Sequence, residues 1–141
     1  MAFYRCTACG AVNRIVASRE QPVCARCRCA LDTTATPQAV DAAALVSAIL
    51  VSPAPVLVDF TAPGAHRSCL DEVAYARAGE LLCLRVDPAS EPAATDAYRV
   101  HSTPTLVLFS DGCEVARLPA APPSSEISRW LSATGARPCN S

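Results

Sequence analysis

Two Cys-x-x-Cys pairs near the start of the chain carry its clearest chemistry. Cys6 and Cys9 form the first pair and, after fourteen intervening residues, Cys24 and Cys27 form the second. Two residues between paired cysteines let both sulfurs of one turn reach the same metal ion, and two such turns complete the tetrahedron of thiolates that zinc prefers. Because four thiolates leave no open coordination position, the pattern predicts one structural Zn²⁺ per chain and no catalytic metal.

The segment around these cysteines, residues 1–32, is predicted to fold as a small zinc ribbon. So short a segment cannot bury a stable core alone, so metal binding would supply on the order of 10 kcal/mol or more of its folding free energy. Five arginines and two acidic residues give it a net charge of +3, which offsets the negative charge of four thiolates on one zinc ion. Cys29 is an extra thiol that could compete with Cys27 as a ligand. Nucleic-acid binding is not favoured, because the chain has no lysine and few aromatic residues stand among the arginines.

Among the cysteines outside the ribbon, Cys69 is the candidate nucleophile. It follows a His-Arg-Ser segment near a predicted helix start, where a lowered thiol pKa would activate it; the alternative is a buried position in the core. Cys83 is expected in the core, whereas Cys113 and Cys139 have no activating neighbours. Since no export signal is visible at the N-terminus, the nine cysteines predict reduced thiols in a cytoplasmic protein rather than a disulfide framework.

The rest of the chain alternates helices and strands, which predicts an α/β fold. Its predicted elements are a helix over 41–50 with Asp41 as N-cap, a buried strand at 56–60, a helix over 69–78, a strand at 81–86, a helix over 91–99, strands at 105–109 and 114–118 joined by an Asp-Gly hairpin, and a final helix capped by Ser124 or Ser125. Helices between strands imply parallel crossovers, and the hairpin adds antiparallel strands. We therefore expect a ribbon at 1–32, a linker at 33–37, a mixed sheet flanked by helices over 38–135 and a tail at 136–141.

Three segments carry a resemblance to a known family: CTACGAVNRI at 6–15, VLVDFTAP at 56–63 and VHSTPTL at 100–106. Together they resemble the zinc-containing bacterial thioredoxins, over about residues 4–133. The resemblance implies a thioredoxin fold behind a zinc ribbon and the activity of a protein-disulfide reductase. It also implies that Asp59 is the buried carboxylate that handles protons, and that Thr103 and Pro104 form the cis-proline loop that binds an extended peptide.

The turn at which this family carries its redox Cys-x-x-Cys departs from the pattern. Residues 63–69 read PGAHRSC, so an ungapped alignment puts Ala65 and Ser68 at the two redox positions, and a gapped alignment deletes about five residues. Neither alignment leaves a dithiol. Dithiol exchange needs one thiolate to attack and a second thiol to resolve the mixed disulfide, and Cys69 alone cannot do both.

Several functions therefore stay open. The first is a non-catalytic or weakly active module that binds a protein or peptide at the cis-proline face, as a monomer and with no membrane partner. The second is a thiol-disulfide oxidoreductase that uses Cys69 with an external resolving thiol and Asp59 for proton handling. A third is a zinc-dependent regulator whose extra thiols release the metal when they are oxidised.

Overall fold

A computed structural model of the chain describes residues 2–16, 20–62, 67–119 and 122–134, except for the side chains of 67–69. The elements along this part of the chain are β1 (Ala2–Arg5), β2 (Val12–Ile15), β3 (Gln38–Ala39), α1 (Ala42–Val51), β4 (Val56–Phe60), α2 (Arg67–Ala76), β5 (Leu82–Val86), α3 (Pro92–Ala97), β6 (Thr105–Ser110), β7 (Cys113–Leu118) and α4 (Ser124–Thr134). Within the described ranges, no helix has the length and apolar character that crossing a membrane requires.

The larger sheet has five strands in the order β3-β5-β4-β6-β7. The strands β3, β5 and β4 are parallel, whereas β6 is antiparallel to β4 and β7 is antiparallel to β6. All residues of β4 are buried, because helices cover both faces of the sheet, and this explains the continuous apolar run at 56–60. The predicted α/β architecture, a mixed sheet flanked by helices, is confirmed.

Two apolar cores lie on opposite faces of this sheet. Helices α1 and α3 cover one face and α2 and α4 cover the other. Side chains two residues apart on a strand share a face, so Val58 and Phe60 of β4 enter the first core. Leu57 enters the second core, and the same alternation turns Asp59 toward the face that α2 and α4 cover.

Local signals in the sequence fix the ends of several elements as predicted. Asp41 caps α1, because its carboxylate accepts a hydrogen bond from the amide of Ala44 at 2.7 Å. Asp111 and Gly112, between β6 and β7, have φ values of +52° and +83°. Two consecutive residues in the left-handed region make the tight turn that matches the twist of a hairpin.

Three details differ from the sequence predictions. Helix α2 spans Arg67–Ala76 rather than 69–78, because the chain leaves the helix before a turn in which Gly79 adopts a φ of +83°. Strand β3 has only two residues, too few to give an alternating pattern. Ser124 does not cap α4; it is the first residue of the helix, and its hydroxyl donates to the carboxylate of Glu72 on α2.

The ribbon, which contains the antiparallel pair β1 and β2, packs against the edge of the larger sheet. The amide of Phe3 donates to the carbonyl of Gly79 at 2.8 Å. Arg5 and Gln38 exchange two hydrogen bonds, of 2.7 and 3.0 Å, between β1 and β3. A Cβ atom at Gly79 would come within 2.6 Å of the Cβ of Ala2, so this approach requires a glycine.

Candidate functional site

The sulfurs of Cys6, Cys9, Cys24 and Cys27 converge in the ribbon. The Sγ atoms of Cys6 and Cys27 are 3.6 Å apart, and so are those of Cys9 and Cys24. All four Sγ atoms lie within 4.8 Å of one another. Zinc with four Zn–S bonds of about 2.3 Å needs sulfurs about 3.8 Å apart at the corners of a tetrahedron. The four cysteines therefore fit one tetrahedral cation and could hold a metal ion.

The two Cys-x-x-Cys turns have the same backbone hydrogen bonds. In the first turn, residues 6–11, the amide of Gly10 donates to the carbonyl of Cys6 at 2.9 Å, and the amide of Cys6 donates to the carbonyl of Ala11 at 2.8 Å. In the second turn, residues 24–29, the amide of Arg28 likewise donates to the carbonyl of Cys24 at 2.9 Å, and the amide of Cys24 donates to the carbonyl of Cys29 at 2.8 Å. The fifth position is in the left-handed region in both turns, at Gly10 with a φ of +82° and at Arg28 with a φ of +70°.

Backbone amides directed at the sulfurs stabilise the thiolate form. The amide of Cys27, followed by the side chain of Asn13, lowers the pKa of Cys24 to about 6, although burial opposes this shift. Burial also acts to raise the pKa of Cys6, but hydrogen bonds from amides of the first turn, that of Cys9 foremost, leave it lowered. Amides that favour thiolates also favour metal binding, which requires deprotonated cysteines.

The pKa of Cys27 is shifted in the opposite direction from that of Cys24. The amide of Cys29 lowers the pKa of Cys27, but burial and the neighbouring sulfurs of Cys6, Cys9 and Cys29 raise it to about 12. Adjacent thiolates repel one another, so one thiol of such a cluster keeps its proton. A divalent cation at the centre would remove this conflict, since its charge stabilises all four thiolates.

Asn13 joins the two turns, and sequence reasoning missed this role. It is one of the few buried polar residues, at 8% exposure on β2. Its carbonyl oxygen accepts from the amide of Ala25 at 2.9 Å, and its amide nitrogen donates to the carbonyl of Ala11 at 3.2 Å. Its side chain also acts to lower the pKa of Cys24. A single asparagine in a short strand gives no sequence signal for such a contact, because its partners lie in both turns.

The arginines expected to offset the thiolate charge are placed unequally. The guanidinium of Arg5 lies over the first turn, 3.3 Å from where a Cβ of Gly10 would stand. Arg14, Arg26 and Arg28 are exposed. Cys29 is also exposed, outside the set of four converging ligands.

Asp59 is buried in the centre of the larger sheet, at 2% exposure. It lies on β4 between Arg85 of β5 and Leu106 of β6 in the pairing register. Arg85 also forms an ion pair of 3.1 Å with Asp71 of α2. The buried carboxylate therefore lies beside a half-buried arginine of the neighbouring strand, close to the end of β4 from which the chain continues into residues 61–62.

The loop before β6 contains the cis peptide bond between Thr103 and Pro104. Thr103 is exposed and Pro104 is half-buried. The hydroxyl of Thr105 donates to the carbonyl of Ser102 at 2.6 Å, which fixes the loop against the sheet. Since Thr105 pairs with Phe60 and Leu106 pairs with Asp59, the loop and the buried carboxylate meet at the same end of β4.

Residues 63–66, in the turn where a redox motif would stand, lie outside the described residues. Cys69 is the third residue of α2, and its side chain also lies outside the described part. Cys83 faces the core under α2 and α4, as predicted, and desolvation raises its pKa to about 12. A thiol in this position is inert.

Cys113, the first residue of β7, is disulfide-bonded. Six other described cysteines are free. The prediction of uniformly reduced thiols is therefore wrong for Cys113.

Curated proteins similar to this chain are thioredoxins. Thioredoxin from Mycobacterium tuberculosis is 35% identical over 95 residues, which are 64% of this chain and 82% of the relative. Thioredoxin 1 from Nostoc sp. is 34% identical over 88 residues, covering 59% of this chain and 82% of the relative. Thioredoxin C-3 from Corynebacterium nephridii is 29% identical over 132 residues, covering 89% of this chain and 90% of the relative.

The lengths of these matches show which of them must include part of the ribbon as well as the α/β domain. Residues 38–141 make up only about three quarters of the sequence, so a match over 89% of the chain must extend into the ribbon. The shorter matches need only the α/β domain. No protein-family model matches the chain. On its identity to thioredoxins over most of their length, together with the mixed sheet and its flanking helices, the chain belongs to the thioredoxin family.

Proposed function

We propose that this protein binds an extended segment of a partner protein at its cis-proline loop and is weakly active or inactive as a disulfide reductase. The observation that carries the proposal is a thioredoxin-family chain whose sequence has no Cys-x-x-Cys between β4 and the body of α2. Dithiol exchange needs a resolving thiol beside the attacking one. Peptide binding needs only the loop, so this part of a thioredoxin's function can outlast the dithiol.

Cys83, the free cysteine described within the larger sheet, offers no substitute for the missing thiol. Cys83 lies on β5 under α2, with 7% exposure and a pKa raised to about 12 by burial. A protonated, buried thiol neither attacks nor resolves a disulfide of a second protein at neutral pH. The alternative, a thiol-disulfide oxidoreductase, would begin exchange at Cys69 and would use an external resolving thiol.

The cis-proline loop offers free backbone groups. Neither the amide nor the carbonyl of Thr103 takes part in a backbone hydrogen bond within the described ranges, and the residue is exposed. An exposed, unpaired amide and carbonyl at a sheet end can pair with an extended peptide, as in strand addition. The fixed geometry of the loop reduces the ordering cost of such binding.

The first test is insulin reduction, measured beside the thioredoxin of M. tuberculosis with dithiothreitol as electron donor. We expect turnover close to the uncatalysed rate. Turnover comparable to that of the reference thioredoxin would overturn the proposal. If a small rate is measured, Cys69→Ser decides its origin, because loss of that rate in the variant would favour the oxidoreductase alternative with an external resolving thiol.

The second test measures peptide binding directly, with carboxymethylated insulin B chain as a thiol-free extended probe. Pro104→Ala should weaken binding about fivefold or more, which is the loss of one or two hydrogen bonds of about 1 kcal/mol each. Pro53→Ala is the matched control, since Pro53 is exposed at the opposite end of β4. Equal affinity in both variants, or no binding by the unmodified protein, would contradict the proposal.

We also infer that the cation of the ribbon is zinc in a structural role, one per chain. Four converging thiolates favour zinc over magnesium or calcium, which prefer oxygen ligands. A reducing compartment such as the cytoplasm would keep these thiols available for the metal. Elemental analysis of the purified protein should find about one zinc per chain, and iron or no metal would refute this part of the proposal.

A further inference from the structure

Cys29 is a thiol that the metal centre does not use. It is the last residue of the second turn, in the position that Ala11 has in the first turn, and its carbonyl accepts a hydrogen bond from the amide of Cys24. Its amide acts to lower the pKa of Cys27, whereas its thiol acts to raise it. The second turn therefore contains a fifth cysteine, two residues after one of the four candidate ligands and held to the turn by the amide of Cys24.

Access to solvent separates this thiol from the ligands. Cys29 is exposed, whereas Cys6 and Cys24 have 0% exposure and Cys9 and Cys27 are half-buried. A small oxidant that diffuses to the ribbon therefore meets Cys29 first. Oxidation of thiols follows their accessibility, and a nearby second thiol converts the first oxidation product into a disulfide.

We propose that Cys29 is the site at which a hydroperoxide oxidises the ribbon, and that the resulting Cys27–Cys29 disulfide releases the metal. This inference rests on the proposed zinc ion, but not on the proposed peptide-binding role. It identifies one cysteine as the entry point and one ligand as the resolving partner.

The chemistry balances in two steps. The sulfur of Cys29 attacks one oxygen of the hydroperoxide, the O–O bond breaks, and Cys29 becomes a sulfenic acid while the other oxygen leaves as water or an alcohol. The thiolate of Cys27 then attacks the sulfur of Cys29, the S–O bond breaks, and hydroxide leaves and is protonated to water. Two thiols lose two electrons in total, and the peroxide gains them. The cation loses one of its four thiolates, and three ligands hold it less tightly.

The experiment uses the full-length, zinc-loaded protein, hydrogen peroxide as oxidant and a chromogenic chelator that reports free zinc. Cys29→Ser should bind one zinc per chain and release it about tenfold more slowly than the unmodified protein, because the exposed thiol is gone. Ala30→Ser, at the next exposed position, is the control and should release zinc at the unmodified rate. Dithiothreitol should reverse the release.

Mass spectrometry of the oxidised, unmodified protein provides a second readout that does not depend on any variant. We expect a peptide containing the Cys27–Cys29 disulfide to appear at the same rate as free zinc. Equal release rates for Cys29→Ser and the unmodified protein, or a disulfide between two other ribbon cysteines, would overturn the inference while leaving the zinc proposal intact. A purified protein that takes up no zinc would overturn both.

Discussion

The first and second Cys-x-x-Cys turns share their backbone hydrogen bonds but differ in the residues that carry them. In the first turn the fifth residue, which adopts the left-handed conformation, is Gly10, and the last residue is Ala11. In the second turn the fifth residue is Arg28, with a φ of +70°, and the last residue is Cys29. A non-glycine residue in this region costs roughly 1–2 kcal/mol. The comparison shows that the turn forms without a glycine at this position, and that the second turn carries strain and an extra thiol that the first turn lacks.

The largest effect should come from removing a ligand from either turn. Cys9→Ser and Cys27→Ser should each weaken zinc binding by more than about a hundredfold, since even outer-shell partners of a metal contribute about 10–100-fold. The amides of β1 and β2 should then exchange rapidly while those of β4–β6 stay protected, because the ribbon depends on its metal. Elemental analysis and hydrogen exchange measure both effects.

The two turns would cease to be equivalent if only one of these variants lost its metal. Full zinc retention by Cys27→Ser, but not by Cys9→Ser, would show that Cys29 takes the place of Cys27 as a ligand. The double variant Cys27→Ser/Cys29→Ser is the control for that outcome and should bind no zinc.

The next largest effect should follow from cutting the connection between the turns. Asn13→Ala removes the side chain that bonds to Ala25 and Ala11 and that lowers the pKa of Cys24, and it should weaken zinc binding by about 10–100-fold. Competition with a chelator of known affinity measures the change. Arg14→Ala, the exposed neighbour on β2, should leave the affinity unchanged. An unchanged affinity in Asn13→Ala would mean that the turns are held together by the metal alone.

A smaller loss is expected when the first turn is made to resemble the second. Gly10→Ala places a side chain at a φ of +82°, with its Cβ 3.3 Å from a guanidinium nitrogen of Arg5. The zinc-loaded ribbon should lose roughly 1–2 kcal/mol of stability. Denaturant titration followed by zinc release measures the loss, and a variant as stable as the unmodified protein would show that the turn shifts to another conformation.

The smallest effect should be a gain, when the second turn is made to resemble the first. Arg28→Gly relieves the strain at a φ of +70°, partly offset by the greater freedom of glycine in the unfolded chain, for a net gain of up to about 1 kcal/mol. The same titration detects it, with Arg26→Gly, at an exposed position of the same turn, as the control. A loss of stability on Arg28→Gly would mean that the guanidinium, and not the backbone, dominates at this position.

Much of the fold could be predicted from the sequence, because its signals are local. The apolar run at 56–60, the Asp111-Gly112 turn and the cap at Asp41 are each contained within a few residues, and all three are confirmed. Strand β3 could not be predicted, since a pair of residues has no pattern and forms a strand only by pairing with β5. The prediction that Ser124 caps α4 was wrong for a related reason. Its hydroxyl donates to Glu72 of α2, and a capping rule within one helix does not consider such a contact.

The sequence by itself determined that each Cys-x-x-Cys turn brings its two sulfurs together, because the spacing within a turn is a covalent constraint. Only the tertiary structure decided that the two pairs meet, with Cys27 and not Cys29 among the four, and how the remaining thiols differ: Cys83 is buried beneath α2, Cys113 is disulfide-bonded and Cys29 is exposed. It also decided that Asn13 links the two turns. Burial and contact between distant residues depend on how the ribbon and the sheet pack, and spacing along the chain does not encode that packing.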